Sequence, residues 1–184
     1  MKELSLHLLD IAENSVAANS TVIEIIVAEY IKKNQLWMTV SDDGKGMDAE
    51  MVRKVVDPFV TSRTTRKVGL GIPLLKEAAE ACNGWLTIES EVGKGTTIKV
   101  MFQRNHIDRM PMGDLAGTLL SLLISNPEIH WIFKYELDED QFIFDDADIK
   151  RELEGISLTE PDILAFLRQT LENGVGAIKP SDSW

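Results

Sequence analysis

The chain has 184 residues, of which 44% are hydrophobic and 27% are charged, and its formal net charge is -11. This length allows one large domain or two small ones with a genuine hydrophobic core. No apolar run approaches the roughly 20 residues of a membrane-spanning helix, and the N-terminus lacks the pattern of a secretory signal. We therefore expect a cytoplasmic protein without a membrane segment. Cys82 is the single cysteine, which excludes an intrachain disulfide.

The negative charge is concentrated in the C-terminal part of the chain. Up to Arg104 there are 14 acidic and 13 basic side chains, whereas from Asn105 onward there are 16 acidic and 6 basic ones. A surface this acidic repels phosphate backbones, so nucleic acid is disfavoured as a partner and a basic protein surface is favoured. We predict one domain over residues 1–104, an acidic domain over 105–180 and a disordered tail over 181–184.

The first part of the chain alternates between helical and strand patterns. Apolar residues at three-to-four spacing predict a helix over about residues 3–18. β-branched-rich runs over 22–27 and 36–40 predict an antiparallel pair. Further helices are predicted over 48–55 and 72–81, and two more strands over 85–89 and 96–102, which together indicate a two-layer α/β sandwich.

The second part predicts a small α+β extension. An apolar stretch over residues 114–124 is typical of a helix, and residues 130–135 with 141–144 are typical of a hairpin. Thr159 and Asp162 have the spacing of a capping box that opens a last helix through Leu171. The three histidines have no metal ligand at zinc spacing beside them, so we expect no structural zinc.

The first helix carries a pair of polar residues suited to metal chemistry. Asp10 and Asn14 are four residues apart and therefore lie on one face, about one turn from each other. An amide oxygen there can join the octahedral shell of Mg²⁺, and the carboxylate beside it can hold a water molecule or accept a proton. On their own, such residues are more often merely solvated.

A glycine-rich acidic segment follows the second predicted strand. In Ser41-Asp42-Asp43-Gly44-Lys45-Gly46-Met47, the two glycines let the backbone approach a ligand closely, and an acid can accept a hydrogen bond from an amine. A plain glycine turn is the alternative. The apolar strand and Met47 give the acid a partly dry setting in which contact with an adenine amine would matter.

A second glycine segment suits phosphate. Gly69-Leu70-Gly71 runs from a basic, hydroxyl-rich loop into the start of a helix, where free backbone N–H groups and the helix dipole favour anions. Thr61, Arg63 and Lys67 supply hydroxyl groups and positive charge in that loop. A lone pair of glycines would be weak support, because basic loops are usually just solvated.

The order of these segments resembles the gyrase, Hsp90, histidine-kinase and MutL superfamily of ATPases. Glu13-Asn14-Ser15 followed by Ala18-Asn19-Ser20 resembles the N box of MutL-type ATPases, and Asp42-Asp43-Gly44-Lys45-Gly46-Met47 resembles the first glycine box. Pro58-Phe59-Val60-Thr61 resembles the phenylalanine box of sensor kinases, Gly69-Leu70-Gly71 the second glycine box, and Gly93-Lys94-Gly95-Thr96-Thr97 the strand that completes the adenine pocket. The resemblance covers about residues 3–102 and implies the Bergerat ATP-binding fold.

The resemblance implies ATP and Mg²⁺ as cofactors and a role for each matching position. Asn14 is expected to be the magnesium ligand, Asp42 the acid that reads the adenine amine, and Thr96 its support. Gly44, Gly46 and Met47 are expected to form the floor of the pocket. Gly69, Leu70 and Gly71 would hold phosphates beneath a lid over residues 60–68 that includes Thr61, with Arg63 or Lys67 reaching the terminal phosphate.

Two departures from the family pattern bear on catalysis. Hydrolytic relatives carry glutamate four residues before the magnesium asparagine, whereas this chain has the shorter Asp10, and a misplacement of about 1 Å can cost about a hundredfold in rate. We therefore expect slow hydrolysis. We also expect none of the helical hairpin with a phosphoaccepting histidine that precedes these boxes in sensor kinases, and we expect His7 to be a packing or pocket-edge residue.

Three hypotheses about function follow. The first is an ATPase that acts as a nucleotide-driven regulatory switch through slow hydrolysis at Asp10. The second is a protein kinase acting in trans on serine or histidine of a partner, and the third is a non-catalytic ATP sensor. In each, the acidic C-terminal domain is expected to bind a protein partner or a second copy of the chain.

Overall fold

The computed structural model describes residues 3–57, 71–153 and 155–178. Its first part comprises α1 (Leu4–Ala17), β1 (Val22–Tyr30), β2 (Gln35–Asp42), α2 (Ala49–Val55), α3 (Gly71–Ala81), β3 (Trp85–Glu91) and β4 (Gly95–Gln103). Its second part comprises α4 (Leu115–Ser125), β5 (His130–Leu137), β6 (Asp140–Asp145), α5 (Asp146–Leu153) and α6 (Pro161–Ile178). Every helix and strand predicted above is present.

The differences from the predictions lie near the C-terminus. Helix α5 was not predicted, and α6 continues to Ile178 instead of ending at Leu171. The expected capping box is wrong, because α6 begins at Pro161 and the hydroxyl of Thr159 is hydrogen-bonded to the hydroxyl of Ser157 at 2.6 Å. The predicted phenylalanine box, lid and tail lie outside the described residues.

The strands form one six-stranded sheet in the order β3-β4-β2-β1-β5-β6. The pair β1 and β5 is parallel, and the other four pairs are antiparallel. Residues in register across the whole sheet form a continuous apolar row on one face: Ile88, Ile98, Val40, Ile25, Phe133 and Phe144. A single buried face of this kind is typical of a sheet covered by helices on one side.

Helices cover that face and complete the core. Leu4, Leu8 and Ile11 of α1 are at most 2% exposed, and α1 packs against both α3 and α4. The opposite face carries half-buried side chains such as Trp37, Thr39 and Lys99. The two-layer α/β arrangement is therefore confirmed, and no helix in the parts of the chain described is long and apolar enough to cross a membrane.

The acidic C-terminal part continues the sheet of the first part. Strand β5 pairs along β1, which would otherwise be an edge strand, and the buried cluster runs through both parts. The hydroxyl of Tyr135 on β5 donates to Oε1 of Glu29 on β1 at 2.7 Å, and Nε of Arg104 donates to Oε2 at 2.7 Å. The boundary after Arg104 stays a prediction, and these contacts join the two parts across it.

Candidate nucleotide site

A cavity of about 370 Å³ opens beside the ends of β2 and β4. This volume is within the range of about 300–1,000 Å³ that small-molecule sites occupy. Its lining brings together five of the predicted site residues, namely Asn14 of α1, Asp42 of β2, Gly46 and Met47 of the following loop, and Thr96 of β4. Ile72 at the start of α3 also lines the cavity.

Asp42 is held by one hydrogen bond to each carboxylate oxygen. The hydroxyl of Ser15 donates to Oδ2 at 2.6 Å, and the backbone N–H of Gly44 donates to Oδ1 at 2.9 Å. A carboxylate oxygen has lone pairs left after one such bond, so Asp42 can still accept a hydrogen bond from a ligand amine. Ser15, which sequence reasoning did not select, therefore fixes the orientation of the predicted adenine-reading acid.

Ser90 of β3 connects two residues of the cavity lining, Met47 and Thr96. Its Oγ accepts a hydrogen bond from the backbone N–H of Met47 at 2.8 Å and donates to the carbonyl oxygen of Gly95 at 3.0 Å. It also lies 2.8 Å from the hydroxyl oxygen of Thr96. No motif marks Ser90 in the sequence, and its role arises only because β3 pairs with β4.

The glycines of the first box are required by neighbouring backbone. Gly46 has φ +65°, and a Cβ there would lie 2.0 Å from the carbonyl oxygen of Glu91. A Cβ at Gly44 would lie 2.8 Å from the carbonyl oxygen of Ala18, directly after α1, and 2.6 Å from Oγ of Ser20. The loop can therefore pack against both the end of α1 and the turn between β3 and β4 only if these positions lack side chains.

Asp10 faces the start of α3. Its Oδ2 is so close to Gly71 that a Cβ on this glycine would be 2.7 Å away. Asp10 itself is half-buried and is not among the described residues that line the cavity, whereas Asn14, one turn later, lines it. The amide oxygen of Asn14 is a hard donor of the kind that Mg²⁺ prefers, so Asn14 fits a magnesium ion, with the Asp10 carboxylate one turn earlier on the same helix.

His7 lies one turn before Asp10 and is buried, with 3% exposure. Burial lowers its pKa, and no hydrogen bond to its Nδ1 is found within the described residues. His7 was expected to be a packing or pocket-edge residue, and its burial outside the cavity lining favours packing.

Asp43 has a structural role beside the site. Its carboxylate accepts hydrogen bonds from the backbone N–H of Thr21 at 2.7 Å, from that of Val22 at 2.9 Å and from the hydroxyl of Thr21. The slight desolvation of this exposed carboxylate would by itself raise the pKa of Asp43, but these donors outweigh it and lower the pKa overall. The second aspartate of the box thus ties the loop to the start of β1.

Five predicted phosphate-site residues lie outside the described residues, namely Thr61, Arg63, Lys67, Gly69 and Leu70. Gly71 is described and begins α3. The expectations for the other five remain predictions.

One group of potential metal ligands lies away from the cavity within the described ranges. Nε2 of His130 is 2.8 Å from Oδ1 of Asp145, and Asp146 is adjacent. The sequence spacing did not suggest this group, because strand pairing brings it together. Asp146 is, however, 2.5 Å from Nζ of Lys150 and accepts from the N–H of Trp131. An ion pair that anchors α5 explains the group without a metal.

Comparison with solved structures shows the fold. The N-terminal domain of a DNA repair protein matches 95% of this chain and 57% of its own, with a TM-score of 0.56 at 15% identity. The MutL ATPase domain of Aquifex aeolicus complexed with ADP matches 84% of this chain and 68% of its own, with a TM-score of 0.51 at 16% identity. Both matches extend past the first 106 residues into the acidic part.

Sequence relatives are bacterial sensor kinases. Sensor kinase CckA of Brucella abortus is 30% identical over 104 residues, which cover 48% of this chain and 11% of that protein. Sensor histidine kinase YvrG of Bacillus subtilis is 32% identical over 95 residues, which cover 50% of this chain and 16% of that protein. The chain therefore spans only a small part of the length of these relatives.

Residues 2–106 match the family of histidine kinase-, DNA gyrase B- and HSP90-like ATPases. The match contains α1, the acidic glycine loop and β4, which are the elements that build the cavity. The chain belongs to this family of ATPases.

Proposed function

We propose that this protein binds ATP with Mg²⁺ in the cavity and hydrolyses it slowly, acting as a nucleotide-driven regulatory switch. The observation that carries the proposal is the geometry of Asp42, whose carboxylate is oriented from both sides and faces a cavity of suitable size. A half-buried acceptor that is oriented in this way favours a ligand that donates a hydrogen bond to it.

The metal and phosphates are assigned to the end of the cavity near α3. Asn14 supplies an amide oxygen to Mg²⁺, which would shield the phosphate charge there. The start of α3 at Gly71 offers backbone N–H groups to the phosphates. Gly69, Leu70, Thr61, Arg63 and Lys67 would complete this anion site, in keeping with their place in the family motif.

Asp10 is the proposed catalytic base. Its carboxylate lies so close to Gly71 that a Cβ there would be 2.7 Å from Oδ2, which puts the carboxylate next to the proposed phosphate end at the start of α3. From there it can accept a proton from the water that attacks the terminal phosphate. The short side chain supports slow turnover, since the base must lie within hydrogen-bond reach of that water.

A second candidate is phosphate transfer in trans to serine or histidine of a partner protein. It is favoured by the relatives, which are sensor kinases by name. In this case Asp10 would orient the acceptor group of the partner in place of water. Incubation with radiolabelled ATP and candidate partners separates the two, because label appears either as free phosphate or on protein.

The acidic C-terminal part is the proposed docking surface for a basic protein partner or for self-association in the cytoplasm. Its 16 acidic and 6 basic side chains after Arg104 would attract a basic surface. Because β5 pairs with β1, whose first residues are tied to Asp43, a partner bound there would be connected through the sheet to the acidic glycine loop.

Isothermal titration with ATP, with and without Mg²⁺, tests the proposal. Asp42→Asn should abolish measurable binding, because the amide replaces one acceptor oxygen with a donor group. Asp43→Asn is the matched control, since it makes the same change at the next residue, whose carboxylate is occupied by Thr21 and Val22. Equal losses in both variants, or no binding by the unmodified protein, would contradict the proposed site.

The turnover part of the proposal needs a separate variant. Asp10→Asn should retain ATP binding and lose phosphate release, because the amide cannot accept the proton. Unmodified protein that binds ATP but releases no phosphate, alone or with partners, would instead support the non-catalytic sensor.

A further inference from the structure

Lys45 is the one positively charged side chain among the described residues that line the cavity. The other charged groups in that lining are the carboxylates of Asp42 and Asp48. Two carboxylates oppose the entry of an anionic ligand, so a nearby ammonium group changes the local balance of charge in favour of binding.

The backbone of Lys45 is held on both sides. Its N–H donates to the carbonyl oxygen of Ala18 at 2.9 Å, and its carbonyl oxygen accepts from the N–H of Gly93 at 2.8 Å. The neighbouring Gly44 and Gly46 have no room for side chains. Lys45 is thus the one residue of this three-residue segment that presents a side chain, and it does so at the rim of the cavity from a fixed backbone.

The ammonium group of Lys45 is available for a ligand. Within the described ranges it forms no ion pair, in contrast to Lys94 on the adjacent turn, whose Nζ is 2.7 Å from Oε1 of Glu91. A lysine without a carboxylate partner need not break an existing ion pair in order to contact an incoming anion. Its flexible stem lets the charge act as a point contact for phosphate.

We propose that Lys45 binds the phosphate group nearest the ribose and thereby makes the site select nucleotides over nucleosides. This inference rests on the proposed function. Lys45 lies in the loop between Asp42 and Met47, at the end of the cavity assigned to adenine, whereas Asn14 and Gly71 serve the end assigned to the terminal phosphate. The phosphate nearest the ribose is therefore the one closest to the adenine end.

The test compares adenosine with AMP in the absence of Mg²⁺, by titration monitored with NMR up to millimolar ligand. In the unmodified protein, AMP should bind more tightly than adenosine. Lys45→Met keeps the length of the stem and removes the charge, so it should weaken AMP binding about tenfold, as expected for one hydrogen bond to a charged group. The affinity for adenosine should change by no more than about twofold, because adenosine has no charged group for Lys45 to contact.

Lys94→Met is the matched control. It removes the same charge from a neighbouring lysine that lies outside the cavity lining and already has Glu91 as its partner. It should leave the affinities for both ligands unchanged. Raising the salt concentration should reduce the preference for AMP in the unmodified protein and have little effect in Lys45→Met, because the contact is electrostatic and partly exposed.

Several results would overturn the inference. Equal weakening of adenosine and AMP in Lys45→Met would show that the lysine packs on the base or supports the loop. Unchanged binding of both would show a lysine that is only solvated. Unmodified protein that binds neither ligand would instead refute the proposed nucleotide site itself, and the inference with it, which distinguishes the two failures.

Discussion

Ser15 on α1 donates a hydrogen bond of 2.6 Å to Oδ2 of Asp42 at the end of β2. Ser15 is 4% exposed and Asp42 is half-buried, so the bond is partly shielded from water and orients the carboxylate at the cavity. Removing the hydroxyl in Ser15→Ala should lower ATP affinity about fivefold, the equivalent of about 1 kcal/mol for one such bond. Isothermal titration measures the loss.

Ser41→Ala controls for the loss of a hydroxyl beside Asp42. The Ser41 hydroxyl accepts from the hydroxyl of Thr97 at 3.1 Å, and neither residue lines the cavity. ATP affinity should be unchanged in this variant. A comparable loss there, or full affinity in Ser15→Ala, would show that orientation of Asp42 by Ser15 does not matter for binding.

Gly46 and Gly93 allow the cost of a positive φ to be measured separately from the cost of a steric overlap. Both have positive φ, +65° and +79°, but a Cβ on Gly46 would be 2.0 Å from the carbonyl oxygen of Glu91, whereas one on Gly93 meets nothing within 4 Å. Gly93→Ala should cost about 1 kcal/mol of unfolding free energy for the backbone conformation alone. Gly46→Ala should cost about 3 kcal/mol or more, because it adds the overlap. Urea denaturation gives both values, and equal costs would contradict the packing argument.

The strands and most helices could be predicted because their signals are local. Alternating apolar residues define β1 and β2, and three-to-four spacing defines α1. Helix α5 was missed because it is short and polar, with Asp146 as its one buried residue. The parallel pairing of β1 with β5 was also missed, since contacts between residues 108 positions apart, such as Val22 and His130, leave no local pattern.

The residues of the candidate site also divide into those that the sequence predicts and those that it does not. Asn14, Asp42 and Thr96 could be selected because each lies in a motif with a recognisable order. Ser90 and Lys45 could not, since their roles depend on which strands become neighbours and on which lysines find a carboxylate. Local sequence therefore predicts the residues of a motif better than the residues whose roles depend on contacts made only in the folded chain.

The buried pair Tyr135 and Glu29 predicts that the two parts of the chain are energetically coupled. The Tyr135 hydroxyl donates to Oε1 of Glu29 at 2.7 Å. The pKa of this tyrosine is raised, first by burial and second by its hydrogen bond to Glu29. Tyr135→Phe leaves one oxygen of a buried carboxylate without its donor, so it should reduce the unfolding free energy by about 2 kcal/mol.

Tyr30→Phe provides the comparison for the same chemical change. The Tyr30 hydroxyl is 3.4 Å from Oε2 of Glu136 in a partly exposed setting. Its loss should cost less than about 0.5 kcal/mol, as for most substitutions away from buried networks. Chemical denaturation should therefore rank the two variants clearly, and similar values would argue against a special role for the buried pair.

The lowered pKa of Asp43 predicts that the stability of the protein depends on pH. Its hydrogen bonds from Thr21 and Val22 lower its pKa in the folded protein. A group with a depressed folded pKa contributes stability above its unfolded pKa of about 3.9, and that contribution is lost as the pH falls through the folded pKa. The contribution should stay below about 1 kcal/mol, because solvent screens an exposed carboxylate. Asp43→Asn should be less stable than the unmodified protein at pH 7, and the gap should close in strong acid, whereas a gap that widens on acidification would contradict the assignment.

Substitution of Gly71 by alanine should slow catalysis while leaving the stability of the protein nearly unchanged. A Cβ at this position would lie 2.7 Å from Oδ2 of Asp10 and 3.2 Å from its Cβ, so Gly71→Ala must displace the carboxylate. Alanine favours a helix more than glycine does, which should leave stability nearly unchanged. Phosphate release should slow by about tenfold or more, since the proposed base moves away from its position. Gly176→Ala, in α6 with nothing within 4 Å, should raise stability slightly and leave turnover intact. If Gly71→Ala keeps full turnover while Asp10→Asn loses it, Asp10 is required for turnover but its position next to α3 is not.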